Sequence, residues 1–244
     1  MSSESPAEIT QNHKATAKHA SPTRDAVKPA RLLVVDDHPI VRNGLVEMIN
    51  REQDLTVVGE AAGPDEALEF LGHNKPDLVL ADVSLEGSSG IELVKNIKAR
   101  FGPIPVLVLS MHDETLYAER ALRAGAKGYI MKEESMPRLL AAIRKVLTGQ
   151  IYLSEAMATR ILGGMVGGQI SHPETSPTQR LSDRELEIFN FIAQGTGVRE
   201  IALKLHLSVK TIETHREHIK EKLGIKSSRE LLRFAVQSQM QMAD

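Results

Sequence analysis

Cysteine and tryptophan are absent from this 244-residue chain, and its aromatic residues are only five Phe and three Tyr. Without cysteine, the chain cannot form disulfides, a thiolate metal site or a cysteine nucleophile, which is compatible with a reducing compartment. Long apolar runs are absent as well. None approaches the roughly 18 residues of a membrane span, and the N-terminus lacks the apolar stretch of a signal peptide. We therefore expect a cytoplasmic protein with no membrane partner.

A strong charge of either sign is also missing. Lys and Arg number 30, Asp and Glu number 32, and the net charge is -2. A modestly acidic first part precedes a near-neutral second part. Bulk charge therefore indicates neither a nucleic acid nor a membrane, and function has to be sought in local patterns.

Composition divides the chain into segments, and the length suits two ordinary domains. Residues 1–30 are rich in Ser, Ala, Thr, Lys and Pro and nearly lack large apolar side chains, which predicts a disordered tail. Residues 31–150 form a first domain. Residues 151–180 read as a Gly-, Ser- and Pro-rich linker that can include a short helix near 154–162. Residues 181–244 form a second domain.

The first domain alternates between short β-branched runs and amphipathic segments. Strands are predicted near 31–35, 55–59, 78–81, 106–109 and 128–131, and helices near 38–51, 64–73, 89–100, 113–124 and 135–148. Five repeats of strand and helix with short connections predict an α/β fold, a doubly wound five-stranded parallel sheet with helices on both faces.

Polar side chains stand where four of these strands end. They are Asp36 and Asp37 after the first strand, Asp82 after the third, Ser110 after the fourth and Lys132 after the fifth. Since parallel strands deliver their carboxyl ends to one edge of a sheet, we expect these side chains to converge there. Taken singly, acidic residues before a helix often serve only as caps. The prediction of a site therefore depends on the whole set.

These residue types suit the transfer of a phosphoryl group. Three close carboxylates repel one another, and Mg²⁺, which takes hard oxygen ligands, is the usual remedy. Asp82, alone at the end of the central strand, is the candidate nucleophile because a carboxylate can form an acyl phosphate. Lys132 and Ser110 would stabilise charge on the transferred oxygens.

The second domain reads as four short helices, an all-α unit. Ser182 with Glu185 three residues later forms a capping box that opens a helix running to about 194. Helices follow at 197–205, 209–223 and 228–237, and Gly224 suits the position just after the third. The tight turn between the second and third helices predicts a helix-turn-helix DNA-binding module.

Both halves resemble a known family. The five pocket residues match, in type and order, those of bacterial response-regulator receiver domains, which have a flavodoxin-like fold. The segment LSDRELEIFNFIAQGTGVREIALKLHLSVKTIETHREHIKEKLGI similarly resembles the LuxR-type helix-turn-helix. The whole chain thus looks like a NarL/FixJ-class response regulator, a phosphorylation-dependent transcription regulator of a two-component system and not an enzyme.

The resemblance implies roles for individual residues. Asp82 would accept a phosphoryl group from a histidine kinase, and Ser110 and Lys132 would bind it. Asp36, Asp37 and Asp82 with the backbone carbonyl of Ser84 would hold Mg²⁺. Tyr129 would be the aromatic switch that moves inward with Ser110. The chain departs from many receivers in Leu85-Glu86, where Met-Pro is common, and in Met111, where a small Ala is common.

The third helix of the second domain has a predicted inner and an outer face. On a helical wheel Ile212, Ile219 and Leu223 form a buried stripe. The opposite face would enter the major groove, with Lys210, Glu213, Thr214 and Glu217 reading bases. Residues expected at phosphates are Lys204, Lys220, Lys222, Thr196 and Thr211. His215 is expected to pack or to contact phosphate rather than to bind metal.

The second domain has little excess positive charge, so one copy should bind double-stranded promoter DNA weakly, and a homodimer on two half-sites is expected. RNA polymerase is a further expected partner.

Two other functions remain open from the sequence. One alternative is a DNA-binding regulator whose receiver does not take phosphate and is controlled by a protein partner or ligand. Another is an aspartyl-phosphate hydrolase, but that class would want an acid where Ser84 stands and would leave 181–244 without a purpose.

Overall fold

The computed structural model describes residues 28–86, 88–111, 114–166 and 177–243. The predicted disordered tail, but for its last residues, and residues 167–176 of the predicted linker lie outside these ranges. Within them, no helix combines the length and the apolar character needed to cross a membrane.

A five-stranded parallel sheet forms the centre of the first domain. The chain contributes β1 (Ala30–Val35), β2 (Leu55–Ala61), β3 (Leu78–Asp82), β4 (Ser84–Leu85), β5 (Ser88–Ser89), β6 (Val106–Ser110) and β7 (Gly128–Met131). The large sheet has the order β2-β1-β3-β6-β7, and all of its pairings are parallel. The predicted doubly wound sheet is confirmed. The strands β4 and β5 form a small antiparallel hairpin just after β3, which the sequence pattern did not predict.

Helices cover both faces of the sheet. They are α1 (Pro39–Ile49), α2 (Pro64–His73), α3 (Gly90–Phe101), α4 (Glu114–Ala124) and α5 (Met136–Leu147). Ile49 of α1 and Ile143 of α5 share one buried cluster with Leu32 and Val34. The other face of the sheet packs against α2, α3 and α4. The strands are apolar on both sides because parallel strands are covered on both faces.

The second domain is helical, as predicted. After α6 (Glu155–Val166) and a 3₁₀ turn (Pro177–Arg180) come α7 (Asp183–Ala193), α8 (Val198–Lys204), α9 (Val209–Leu223) and α10 (Ser228–Ala243). The capping box is present: the Ser182 amide donates to Glu185 Oε2 at 2.7 Å, and the Glu185 amide donates to Ser182 Oγ at 3.3 Å. Gly224 ends α9 with a φ of 69°, a left-handed conformation that favours glycine.

The two domains pack together through α7. Its residues Leu186 and Phe189 belong to the same cluster of buried apolar side chains as Val83 and Leu85 of the first domain. The face of the sheet covered by α2, α3 and α4 therefore continues into the helix-turn-helix. This contact places α7 beside the segment that follows Asp82.

Candidate functional site

The carboxyl ends of β1, β3 and β7 bring three charged side chains together. Lys132 Nζ lies 2.7 Å from Asp36 Oδ2 and 2.6 Å from Asp82 Oδ2. Ser110 ends β6, between β3 and β7, and its backbone carbonyl accepts a 2.7 Å hydrogen bond from the Lys132 amide. Asp36, Asp82 and Ser110 are buried. Asp37 directly follows Asp36, so the structure gathers all five predicted residues at one edge of the sheet.

The pKa values of Asp82 and Lys132 in this pocket are both shifted from their usual values. Burial raises the pKa of Asp82 to about 6, and the charge of Asp36 acts in the same direction. Attraction to Lys132 and a hydrogen bond from the Ser84 amide oppose this shift without cancelling it. Burial lowers the pKa of Lys132, but the two carboxylates outweigh it, so the pKa lies above its usual value. The pocket thus holds more negative charge than one ammonium balances.

The acidic side of the pocket has the donors that Mg²⁺ requires. Carboxylate oxygens of Asp36, Asp37 and Asp82, with a ring nitrogen of His38, lie within 4.8 Å of one another. Asp37 Oδ1 is buried and makes no hydrogen bond within the described residues. His38 Nδ1 is only 2.6 Å from that oxygen but lacks hydrogen-bond geometry. Because hard cations take carboxylate oxygens, this donor set fits Mg²⁺.

Close backbone packing fixes the loop around Asp82. A Cβ on Gly90 would lie 1.9 Å from the Asp82 carbonyl oxygen, so only glycine fits there. The Gly90 amide donates a 2.6 Å hydrogen bond to the Val83 carbonyl. This contact joins the residues that flank the hairpin of β4 and β5. The hairpin carries Ser84, whose backbone carbonyl is the remaining expected Mg²⁺ ligand.

Two tyrosines belong to the buried cluster on the face of the sheet covered by α2, α3 and α4. Tyr129 of β7, the expected switch residue, is fully buried. Tyr117 of α4 is fully buried too, and its hydroxyl accepts a 2.9 Å hydrogen bond from Asn190 Nδ2 of α7. Tyr117 carries no functional signal in the sequence, because helical periodicity marks it only as a core residue. Met111, which departs from the family pattern, is 60% exposed at the rim.

The predicted outer face of α9 is open. Exposed residues are Lys210, Glu213, Thr214, Glu217, His218 and Glu221. Ile212 and Ile219 are fully buried on the opposite side, and Leu223 is partly buried, as the wheel predicts. The first domain leaves these six side chains exposed.

Several of the expected DNA contacts already have partners inside the domain. Lys222 Nζ lies 2.5 Å from Glu185 Oε2, and Lys220 Nζ lies 2.8 Å from Glu217 Oε2. Thr211 donates its backbone amide to Ser208 Oγ at the start of α9. The Thr214 hydroxyl donates to the Lys210 carbonyl at 3.0 Å. Contacts with DNA would have to exchange some of these bonds.

His215 lies on the inner flank of α9. It is partly buried, and burial lowers its pKa, while the nearby Glu185 acts in the opposite direction. Its Nδ1 atom is buried and makes no hydrogen bond within the part of the chain described. His215 is thus half-buried between α9 and α7, and its role at phosphate or in packing stays a prediction.

Polar contacts join α7 to the loop that follows Asp82. The Ser84 hydroxyl donates a short hydrogen bond to Glu187 Oε1. Arg184 donates to the Leu85 carbonyl at 2.9 Å and pairs with Glu187 at 2.6 Å. Glu187 is buried, so its charge depends on these partners. The second domain thus contacts Ser84, whose backbone carbonyl is an expected Mg²⁺ ligand, and its neighbour Leu85.

A second group of contacts joins α3 and α4 to the start of α7. Arg120 donates to the carbonyls of Thr178 and Leu181 at 2.8 and 2.9 Å and pairs with Asp183 at 3.1 Å. Lys95 pairs with the same carboxylate at 3.1 Å. Sequence reasoning missed this interface, because its partners are separated by about 60 to 100 residues and carry no local signature.

Comparison with known families identifies both halves. Residues 32–144 match the family described as response regulator receiver domain, and residues 179–235 match bacterial regulatory proteins, luxR family. The chain is 38% identical over 213 residues to the oxygen regulatory protein NreC of Staphylococcus carnosus (strain TM300), which covers 86% of this chain and 98% of that protein. The chain is a NarL-class response regulator. The family comprises transcription regulators, not a known class of enzyme.

Solved structures share the architecture of this response regulator. RcsB from Salmonella enterica serovar Typhimurium, bound to promoter rprA in the presence of phosphomimetic BeF3-, has a TM-score of 0.55 and 26% identity, covering 86% of this chain and 99% of that chain. A structure of two RcsB dimers bound to two parallel DNAs has a TM-score of 0.52 and 26% identity, covering 85% and 98%. The response regulator therefore combines a receiver with a LuxR-type DNA-binding domain.

Proposed function

We propose that a histidine kinase phosphorylates Asp82 and that this modification controls binding of the regulator to promoter DNA in the cytoplasm. The observation that carries the proposal is the pair of contacts from Lys132 to Asp36 and Asp82 in a buried acidic pocket. A phosphoryl group needs a nucleophile, a cation and a hydroxyl in one place, and Asp82, Lys132 and Ser110 supply them.

In the proposed reaction an Asp82 carboxylate oxygen attacks phosphorus, the bond from phosphorus to the kinase histidine breaks, and an acyl phosphate forms. The raised pKa of Asp82 makes its ionised form depend on a nearby positive charge. Bound Mg²⁺ would supply that charge and stabilise the phosphoryl oxygens, held by Asp36, Asp37, Asp82 and the Ser84 carbonyl. Lys132 then exchanges its Asp82 contact for a phosphoryl oxygen.

The contacts of α7 provide a route from Asp82 to the second domain. Ser84 and Leu85 follow Asp82 by two and three residues, and both hydrogen-bond to α7. A shift of this loop toward the phosphoryl group would stretch those bonds, favour separation of the domains and free the α4 and β7 surface for dimerisation. Such a response is a population shift driven by a local charge.

Separation of the domains would help DNA binding even though the outer face of α9 is open. The His206 ring, in the turn before α9, lies 6.3 Å from the His38 ring beside the pocket. The receiver therefore stands next to the beginning of α9, where a DNA backbone would pass. Once the receiver moves away, Lys210, Glu213, Thr214 and Glu217 could read bases while phosphate contacts fix the register.

The test measures dimerisation and operator binding with and without beryllofluoride and Mg²⁺, on the wild type, on Asp82→Ala and on Asp54→Ala. Asp54 is a partly exposed receiver carboxylate that pairs with Arg144 outside the pocket, and it serves as the matched control. We expect dimers and a roughly 5- to 150-fold gain in affinity for the wild type and Asp54→Ala only. Equal DNA binding by all three proteins in both conditions would refute phosphorylation control and support a receiver controlled by a partner or ligand.

A further inference from the structure

Three side chains with metal-binding atoms meet on the second domain, away from the receiver pocket. They are Glu185 of α7 and His215 and His218 of α9, and their ligand atoms lie within 4.8 Å of one another. The two histidines are three positions apart and so share one side of the helix. Packing of α7 against α9 supplies the carboxylate. This cluster shares no residue with the pocket around Asp82.

The hydrogen bonding at the cluster is incomplete. His215 Nδ1 is buried and has no hydrogen-bond partner among the described residues, a state that costs free energy. The carboxylate of Glu185 is buried, yet the bonds from the Ser182 amide and Lys222 Nζ both go to Oε2. An imidazole that lacks one hydrogen bond and a buried carboxylate therefore belong to one cluster that a further ligand could complete.

We propose that Glu185, His215 and His218 bind a divalent transition-metal ion, with Zn²⁺ as the best fit. Two imidazole nitrogens and one carboxylate oxygen form a donor set that Zn²⁺ accepts, with water as a fourth ligand. Mg²⁺ prefers oxygen ligands, so it suits the three carboxylates of the receiver pocket, whereas two of the three side chains here offer imidazole nitrogens. Bonds of about 2.0 to 2.2 Å place tetrahedral ligand atoms roughly 3.4 Å apart, so the side chains draw closer when the ion binds.

Lys222 competes with the ion. Its ammonium lies 2.5 Å from Glu185 Oε2, and the side chain is 40% exposed, so it can turn into solvent when a cation arrives. The ion would then replace one positive charge beside Glu185 with two. Release of Lys222 makes its ammonium available to a DNA phosphate, while His218 is held against α7. Metal binding would therefore change two side chains on the helix that is proposed to enter the major groove.

The test titrates Zn²⁺ into the full chain by calorimetry in excess Mg²⁺, which is added to fill the proposed Mg²⁺ site of the receiver pocket. Variants are His218→Ala, His215→Asn and Lys222→Gln, with His73→Ala as control, because His73 is an exposed histidine on α2. We expect one site in the wild type and in the control. Affinity should fall by about tenfold or more in either ligand variant and rise in Lys222→Gln.

A second measurement separates binding from folding. His218 is exposed, so His218→Ala should keep the circular dichroism and melting curve of the wild type. Co²⁺ in place of Zn²⁺ should give the intense visible bands of a four-coordinate site in the wild type and lose them in this folded variant. Unchanged Zn²⁺ stoichiometry and affinity in both histidine variants would overturn the proposal, as would loss of the site in His73→Ala.

Discussion

Replacing Asp82 by Asn should stabilise the metal-free regulator at neutral pH. Asn has nearly the shape of a protonated Asp but carries no charge. The pKa of Asp82 is raised from 3.8 to about 6, chiefly by burial. Each tenfold change in proton affinity is about 1.4 kcal/mol, so the charged form costs the fold about 3 kcal/mol above pH 6. The substitution should remove much of that cost.

The pH dependence follows from the sign of the shift. A carboxyl whose pKa is higher in the folded state binds its proton more tightly there, so folding is favoured at low pH. The wild type should lose stability relative to Asp82→Asn as the pH rises from about 4 to about 6. Below pH 4 both side chains are neutral and the two proteins should be equally stable.

Calorimetry of both proteins in a chelator, at several pH values, tests this expectation. At 2 to 4 °C per kcal/mol for a chain of this size, the melting temperature should differ by about 6 to 12 °C at pH 7.5. Mg²⁺ should narrow the gap, because it binds the wild-type carboxylates. Equal melting temperatures at pH 7.5, or a difference that does not change with pH, would refute the assignment of this cost to Asp82.

Three further substitutions test other parts of the structure. Gly90→Ala should abolish phosphorylation and beryllofluoride binding, measured by phosphate transfer and calorimetry, because its Cβ would lie 1.9 Å from the Asp82 carbonyl oxygen. Tyr117→Phe removes the hydrogen bond to Asn190 and should destabilise the packing of the two domains against each other by about 1 to 3 kcal/mol. The affinity of the unphosphorylated regulator for DNA should therefore rise. An unchanged affinity would count against domain separation as the switch. Ile219→Ala should cost about 2 to 5 kcal/mol and weaken DNA binding, while calorimetry still detects beryllofluoride on the receiver, since this side chain is fully buried in the second domain.

The elements of the fold were predictable because their signals are local. Apolar strands alternating with amphipathic helices indicate a parallel sheet, and a capping box or a glycine marks where a helix begins or ends. The same rules predicted which side of α9 is buried, with Ile212 and Ile219 inside. The hairpin of β4 and β5 was missed, because two strands of two residues each carry too little periodicity to detect.

The interface between the domains was not predictable from one sequence. Tyr117 and Asn190 are 73 residues apart, and Ser84 and Glu187 are 103 residues apart. Nothing in the local pattern of either residue indicates its partner. The proposed metal cluster depends on the same kind of information, because the i, i+3 spacing of His215 and His218 is visible in the sequence but the approach of Glu185 is not.

The sequence by itself determined the two-domain plan and the succession of the main strands and helices along the chain. It also determined the set of polar residues that lie at one edge of the sheet. These properties depend on periodicity and on the geometry common to all parallel sheets. Only the tertiary structure decided that Asp82 is buried enough to hold a proton near pH 6 and that Lys132 bridges two carboxylates. It alone decided that α7 rests on the segment after Asp82. Burial and distance arise from packing between distant parts of the chain, which no local pattern records.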